Sequence, residues 1–312
     1  MKDLGKESVN FTEIGEDAAG QRIDNFLSRH LKGVPKSHIY RILRSGEVRV
    51  NKKRVDQTCR LQLGDLVRIP PVRLAERAET ERVPVAEFPV LYEDDALLAI
   101  NKPAGVAVHG GSGVSFGVIE QLRASRSDAR LLELAHRLDR ETSGVLLLAK
   151  KRSALVGLHE QLRDGKTDKR YLALALGQWK NAKQHVRLPL HKFTRPDGER
   201  RVMVREDGLE SHTVFALQRA YGEFSLLEAQ LKTGRTHQIR VHLAHLGYPI
   251  AGDEKYGDFA RNKELAKQGL KRMFLHAYAI GFSHPLTGEA LRVTAELPRD
   301  LERFLVRLSD SS

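Results

Sequence analysis

The run His136-Arg137-Leu138-Asp139-Arg140-Glu141-Thr142-Ser143-Gly144 sets one carboxylate, Asp139, among arginines, just ahead of the apolar stretch 145–149. Guanidinium groups alongside favour a charged carboxylate, and a charged Asp in a cleft can act as a nucleophile or as a base. The same residues also describe a surface ion pair, which contributes little by itself. Other chemistries fail on spacing. Gly165-Lys166-Thr167 resembles the end of a phosphate-binding loop, but Glu160 stands where that loop needs Gly. Gly111, Gly113 and Gly117 are spaced one residue too widely for a dinucleotide fingerprint. His237, His242 and His245 lie close together without a carboxylate or Cys arranged as a ligand set, so no metal site is expected. There is no HExxH, and the single Cys59 excludes a disulfide framework and a multi-Cys metal site.

The chain of 312 residues has 52 Lys and Arg against 40 Asp and Glu, a formal net charge of +12, which points to a polyanionic partner. The excess is local. Residues 22–73 hold 13 basic against four acidic residues, and the sign reverses in the Glu-rich, proline-containing stretch that follows. No apolar run is long enough for a membrane helix, and the N-terminus has no secretory h-region. The chain therefore reads as cytoplasmic and not membrane-bound, with a monomer as the default.

Three segments follow: a basic domain over 20–73, a linker over 74–87 and a larger domain over 88–312. In the first, Ile23, Phe26, Leu27 and Leu31 keep helical spacing. Ser37 caps a second helix with apolar face Ile39, Ile42 and Leu43, and short strands follow around the turns Asn51-Lys52 and Gly64-Asp65. The second helix and the strands carry Lys36, Arg41, Arg44, Arg49, Lys52, Lys53 and Arg54, a set that can lie along phosphates. In the larger domain, strands are read over 90–92, 96–100, 145–149, 171–177, 212–221, 224–231, 274–282 and 289–297, with helices around 116–122, 155–162, 236–247 and 301–308. Short turns between strands, without strict strand–helix alternation, predict an α+β fold with a mixed, largely antiparallel sheet flanked by helices.

The order IDNFLSRHLKGVPKSHIYRILRSGEVRVNKKRV resembles the S4 RNA-binding domain. HRLDRETSG resembles the signature of the RluA-type pseudouridine synthases. LYEDDALLAINKPAGVAVH, KRYLAL, TGRTHQIRVHLAHLGYPIAGDEKYG and FLHA follow that family's order over about residues 90–277. The resemblance implies isomerisation of uridine in RNA to pseudouridine, with no cofactor or metal. Asp139 matches the family's essential aspartate, Tyr171 its active-site tyrosine, and Arg235 the arginine expected to pair with Asp139. Arg137 matches an arginine that fills the space left by a flipped base. Leu275 matches an apolar pocket residue, though a core leucine would look the same. The family motif around Asn101, Lys102 and Pro103 is read as structural. The implied partner is large-subunit ribosomal RNA, naked or in an assembling particle, modified at several uridines. Two other readings stand beside this one: an RNA-binding or ribosome-assembly protein that has kept the fold without the chemistry, and a glycosidase, which needs a second carboxylate beyond the neighbouring Glu141.

Overall fold

The computed structural model describes residues 9–31, 33–72, 83–111 and 115–310. The chain divides into two compact units, Met1–Arg82 and Val83–Ser312. Most of the predicted linker, residues 74–82, lies outside the described residues.

In the smaller unit β1 (Asn10–Glu13) precedes α1 (Ile23–His30), α2 (Lys36–Arg44), β2 (Arg49–Val50), β3 (Lys53–Arg54) and β4 (Leu66–Ile69). The four strands form one antiparallel sheet in the order β1-β4-β2-β3. Ile23 and Leu27 of α1 and Ile39, Ile42 and Leu43 of α2 are buried with Val48, Val50, Leu61, Val67 and Ile69, so the apolar spacing closes one core. Asn51 and Lys52 both take positive φ, 48° and 68°, the double left-handed turn that suits the twist of a two-residue hairpin. Ser37 does not cap α2. Pro35 holds the N-cap position, no side-chain cap forms, and the helix begins at Lys36, one residue ahead of the serine. β1 lies ahead of residue 20, and its four residues are too few to announce a strand.

The larger unit continues with β5 (Val90–Glu93), β6 (Leu97–Lys102), α3 (Val118–Ser125), β7 (Glu133–Leu134), β8 (Ser143–Ala149), α4 (Arg152–Arg163) and β9 (Asp168–Leu176). Then come β10 (Lys183–Arg187), β11 (Leu190–Thr194), β12 (Arg200–Val204), β13 (His212–Tyr221), β14 (Phe224–Leu231) and α5 (Gln238–His245). The unit ends with α6 (Phe259–Lys267), β15 (Leu275–Ser283), β16 (Ala290–Thr294) and α7 (Arg299–Asp310). Its main sheet runs β10-β13-β14-β9-β15-β8-β6-β5, with β16 on β15 and β7 on β8. Only β15 and β8 pair in parallel among the described strands, so the sheet is mixed and largely antiparallel, as predicted.

Strand alternation divides the apolar residues between the two faces of this sheet. Leu98, Ile100, Leu146 and Leu148 join the larger cluster, with Ile119 of α3, Ile239 and Leu243 of α5, and Leu301 and Phe304 of α7. Leu97, Ala99, Val145 and Leu147 point the other way, onto Leu155 and Leu158 of α4. The parallel pair meets closely at Gly144, where φ is +115° and an added Cβ would lie 2.1 Å from the Ala277 carbonyl oxygen. Only glycine fits there, five residues beyond Asp139. β11 and β12 form a separate hairpin, absent from the sequence reading, that packs through Leu190 and Val202 against Val241 of α5.

Candidate active site

Three neighbouring strands of the main sheet, β9, β15 and β8, bring the site together. Asp139 sits in the turn that leads into β8, Tyr171 lies on β9, and Leu275 opens β15. The Asp139 turn is anchored on two sides. The Thr142 N–H donates to the Asp139 carbonyl at 3.1 Å, and the Gly105 N–H donates to the Arg140 carbonyl at 2.9 Å. Beneath it, wholly buried Lys102 donates from Nζ to the carbonyls of Pro103, Val106 and Arg140 at 2.7, 2.8 and 3.0 Å. Burial pulls this ammonium down to about 7, while the charges of Glu141 and Asp139 act in the opposite direction.

The carboxylate's ion-pair partner is Arg240, not Arg235. Arg240 Nη1 donates to Asp139 Oδ2 at 2.8 Å. Its Nε and Nη2 grip Asp253 Oδ2 and Oδ1, both at 2.8 Å. Asp253 is 1% exposed and also accepts the N–H groups of Lys255 and Tyr256 at 2.8 and 3.0 Å. Burial alone would raise Asp253, but its bonds to Arg240 and the attraction of that charge outweigh burial and hold it below the usual carboxylate range. Arg235 lies in the turn ahead of α5, where its side chain is exposed and its Nε donates to the Glu210 carbonyl at 3.0 Å. The physical reason is position. Arg240 is inside a helix whose residues 238–243 are all buried, so its charge must find carboxylates, whereas Arg235 reaches water at the rim. Its place between the apolar residues Ile239, Val241 and Leu243 was the available signal for Arg240, and Asp253 is the buried acid it requires.

Above the carboxylate, His237 occupies the N-cap of α5 with φ 54° and ψ 21°, in the left-handed region. Its Nε2 lies 3.7 Å from Asp139 Oδ1. Its Nδ1 lies 2.8 Å from Tyr256 Oη, which also accepts the Val202 N–H at 2.9 Å. Burial brings His237 down to about 4, against the pull of the Asp139 charge. Tyr171 is 8% exposed, and burial, aided by the nearby Asp139 charge, raises its phenol so that it stays protonated at neutral pH. His242 does not face the cleft. It is buried between Ser211, Thr213 and the Leu188 carbonyl.

Asp139, Tyr171, Arg235, Arg137 and Leu275, gathered from four separate stretches of sequence, line one cleft of about 1010 Å³ with His237 and Arg240. That volume can take a nucleotide and part of its strand. Arg137 is exposed and also lines a smaller recess shared with Arg235 and Lys192. On the smaller unit, Lys36, Arg41, Arg44, Arg49, Lys52, Lys53 and Arg54 are all exposed. Two of them also serve the fold: Arg49 Nε donates to the Gly46 carbonyl at 3.2 Å and Arg54 Nη2 to the Ser45 carbonyl at 2.6 Å, holding the turn after α2.

A small basic helix-and-strand unit is joined in one chain to a mixed sheet that holds an Asp–Arg pair in a nucleotide-sized cleft. The family model described as RNA pseudouridylate synthase matches residues 96–245, and the S4 domain model matches residues 21–67. "Ribosomal large subunit pseudouridine synthase C" of Escherichia coli (strain K12) is 54% identical over 97% of this chain and 98% of its own. The protein of the same name in Pasteurella multocida (strain Pm70) is 53% identical over 97% of this chain and 95% of its own. Among solved structures, human RNA pseudouridylate synthase domain containing 4 aligns with a TM-score of 0.59 and 27% identity, over 71% of this chain and 93% of that one. The chain belongs to the RluA-type RNA pseudouridine synthases that carry an S4 domain, and it is a uridine isomerase.

Proposed function

We propose that this enzyme converts several specific uridines of large-subunit ribosomal RNA to pseudouridine, with Asp139 as the residue that begins the reaction. The observation that carries this reading is the Asp139–Arg240–Asp253 arrangement, a carboxylate aimed by a buried guanidinium in the cleft that Tyr171 also lines. The names of the long, similar relatives support the substrate class.

The reaction breaks the N1–C1′ bond, turns the base, joins C5 to C1′ and releases the C5 proton. It adds no group and changes no oxidation state, so it needs no cofactor. Asp139 has three possible entry points, C1′, C6 and the C2′ proton, and each uses the carboxylate in its charged form. Arg240 supplies a charge-assisted hydrogen bond that fixes the direction of the carboxylate. A uridine in structured RNA is reached only by flipping it out of its stack, at a cost of a few kcal/mol. Arg137, exposed at the cleft, would fill the vacated space. Leu275 would pack against the base, and the Tyr171 ring would stack on it. Lys36, Arg41 and Arg44 of α2, with Lys52 and Lys53, would neutralise phosphates and supply salt-dependent affinity.

The test uses large-subunit ribosomal RNA transcribed in vitro, incubated with wild-type protein or with Asp139→Asn. Pseudouridine is then mapped by carbodiimide labelling and primer extension. Stops with wild type alone are expected. Turnover by Asp139→Asn would refute the assignment of Asp139, and the absence of stops with both proteins would point to another RNA, a ribonucleoprotein substrate or a binding role without the chemistry.

A further inference from the structure

Asp139 Oδ2 has a close partner in Arg240, and His237 Nε2 lies 3.7 Å from Oδ1. The neighbours of His237 select one form of its ring. Tyr256 Oη accepts the Val202 N–H and lies 2.8 Å from His237 Nδ1, where its hydroxyl can donate. A lone pair on Nδ1 leaves the proton on Nε2, facing the carboxylate. The opposite tautomer would set two lone pairs against each other there. The other charged groups acting on the ring are Arg240, Lys255 and Asp253. The backbone of His237 is left-handed, a conformation that costs a non-glycine residue free energy unless its surroundings enforce it. That conformation brings the ring over Asp139 at the mouth of α5.

We infer that His237 is a positioning residue for the isomerisation: it donates Nε2–H to Asp139 Oδ1, closing from 3.7 Å when substrate fills the cleft, with Tyr256 as the residue that keeps Nδ1 an acceptor. The inference rests on the reading of Asp139 as the initiating carboxylate. With Arg240 on Oδ2 and His237 on Oδ1, the carboxylate cannot rotate as it meets the nucleotide. The spacing of 3.7 Å is the looseness expected of an active-site contact without substrate.

Two substitutions separate this role from a structural one. His237→Asn suits the left-handed backbone and keeps an acceptor for the Tyr256 hydroxyl, but it removes the donor facing Asp139. His237→Gln extends an amide N–H to about the place of Nε2. Single-turnover release of tritium from RNA carrying [5-³H]uridine is expected to slow about 10- to 100-fold in His237→Asn. RNA affinity should change less than about twofold, and His237→Gln should recover most of the rate. Spectra of the ¹⁵N-histidine-labelled full-length protein should place the His237 proton on Nε2 at pH 7, and Tyr256→Phe should shift it toward Nδ1. A wild-type rate in His237→Asn, equal rates for the Asn and Gln variants, or an Nδ1–H tautomer in the wild-type protein would each overturn the inference. If the Asn variant does not fold, the wild-type spectrum decides. Asp139→Asn, run in parallel, keeps the two readings apart. Activity in that variant removes the catalytic assignment, whereas an inactive Asp139→Asn beside a fully active His237→Asn removes only the role of His237.

Discussion

Replacing Arg240 by Met should damage stability and catalysis by separate routes, and a second substitution should pull the two apart. Arg240 is the link between Asp139 in the cleft and Asp253 in the core. Asp253 is 1% exposed, so the single variant leaves a buried carboxylate with only two backbone N–H groups. Breaking one side of a buried pair costs about 3–5 kcal/mol. In a unit of this size each kcal/mol lowers the melting temperature by about 2–4 °C, so a fall of about 6–20 °C is expected. Arg240→Met/Asp253→Asn removes the orphaned charge and should recover most of that loss. It does not restore the bond to Asp139 Oδ2. A hydrogen bond to a charged group is worth about 1.5–3 kcal/mol, so the double variant should stay about 10- to 150-fold slow with most of its stability regained. The assays are thermal unfolding of the larger unit and single-turnover tritium release. Recovery of the rate together with the melting temperature would refute the reasoning, because Arg240 would then serve only the fold. A single variant as stable as wild type would refute the energetic half.

Three further outcomes follow. His136, His242 and His276 are brought by burial to about 4, below the unperturbed value of about 6.5. The unfolded chain binds more protons in that window, so their stabilising contribution is complete above about pH 6.5 and is lost as pH falls toward 4. Each removes up to about 1.4 kcal/mol per pH unit, read as a falling urea midpoint. Replacing Arg41 and Arg44 by Ala should lower the slope of log affinity against log salt by about 2 without moving the melting temperature, whereas Arg54→Ala, which frees the Ser45 carbonyl, should lower the melting temperature as well. Gly144→Ala drives a Cβ to 2.1 Å from the Ala277 carbonyl oxygen and should prevent stable folding of the larger unit, seen as loss of soluble protein, while Gly198→Ala, with open space around it, should cost far less.

Much of this architecture is legible before any coordinate is known. Ile23, Phe26 and Leu27, then Ile39, Ile42 and Leu43, announce two amphipathic helices because burial against one core demands that spacing. The run 145–149 announces a strand covered on both faces. Asp139, Tyr171 and Leu275 are found through motifs, which are local. β1, β10, the β11–β12 hairpin and α6 escape notice because they are short or carry as many exposed as buried residues. The partner of Asp139 escapes for a different reason. Arg235 and Arg240 are both arginines in one motif, five residues apart, and only the start of α5 at Gln238 sends one into the core and leaves the other at the rim.

The sequence by itself determined the kind of fold and the basic N-terminal segment, which rest on local spacing and net charge, and the class of chemistry, which rests on the motifs that carry the family resemblance. The tertiary structure decided who holds that carboxylate. Arg240 and Asp253 are 13 residues apart, Asp139 is 101 residues from Arg240, and Tyr256 meets Val202 across 54. Contacts at such separations are set by how β8, β9, β15 and α5 pack, because the energy that selects them is the burial of whole strands and helices and not the preference of any one residue.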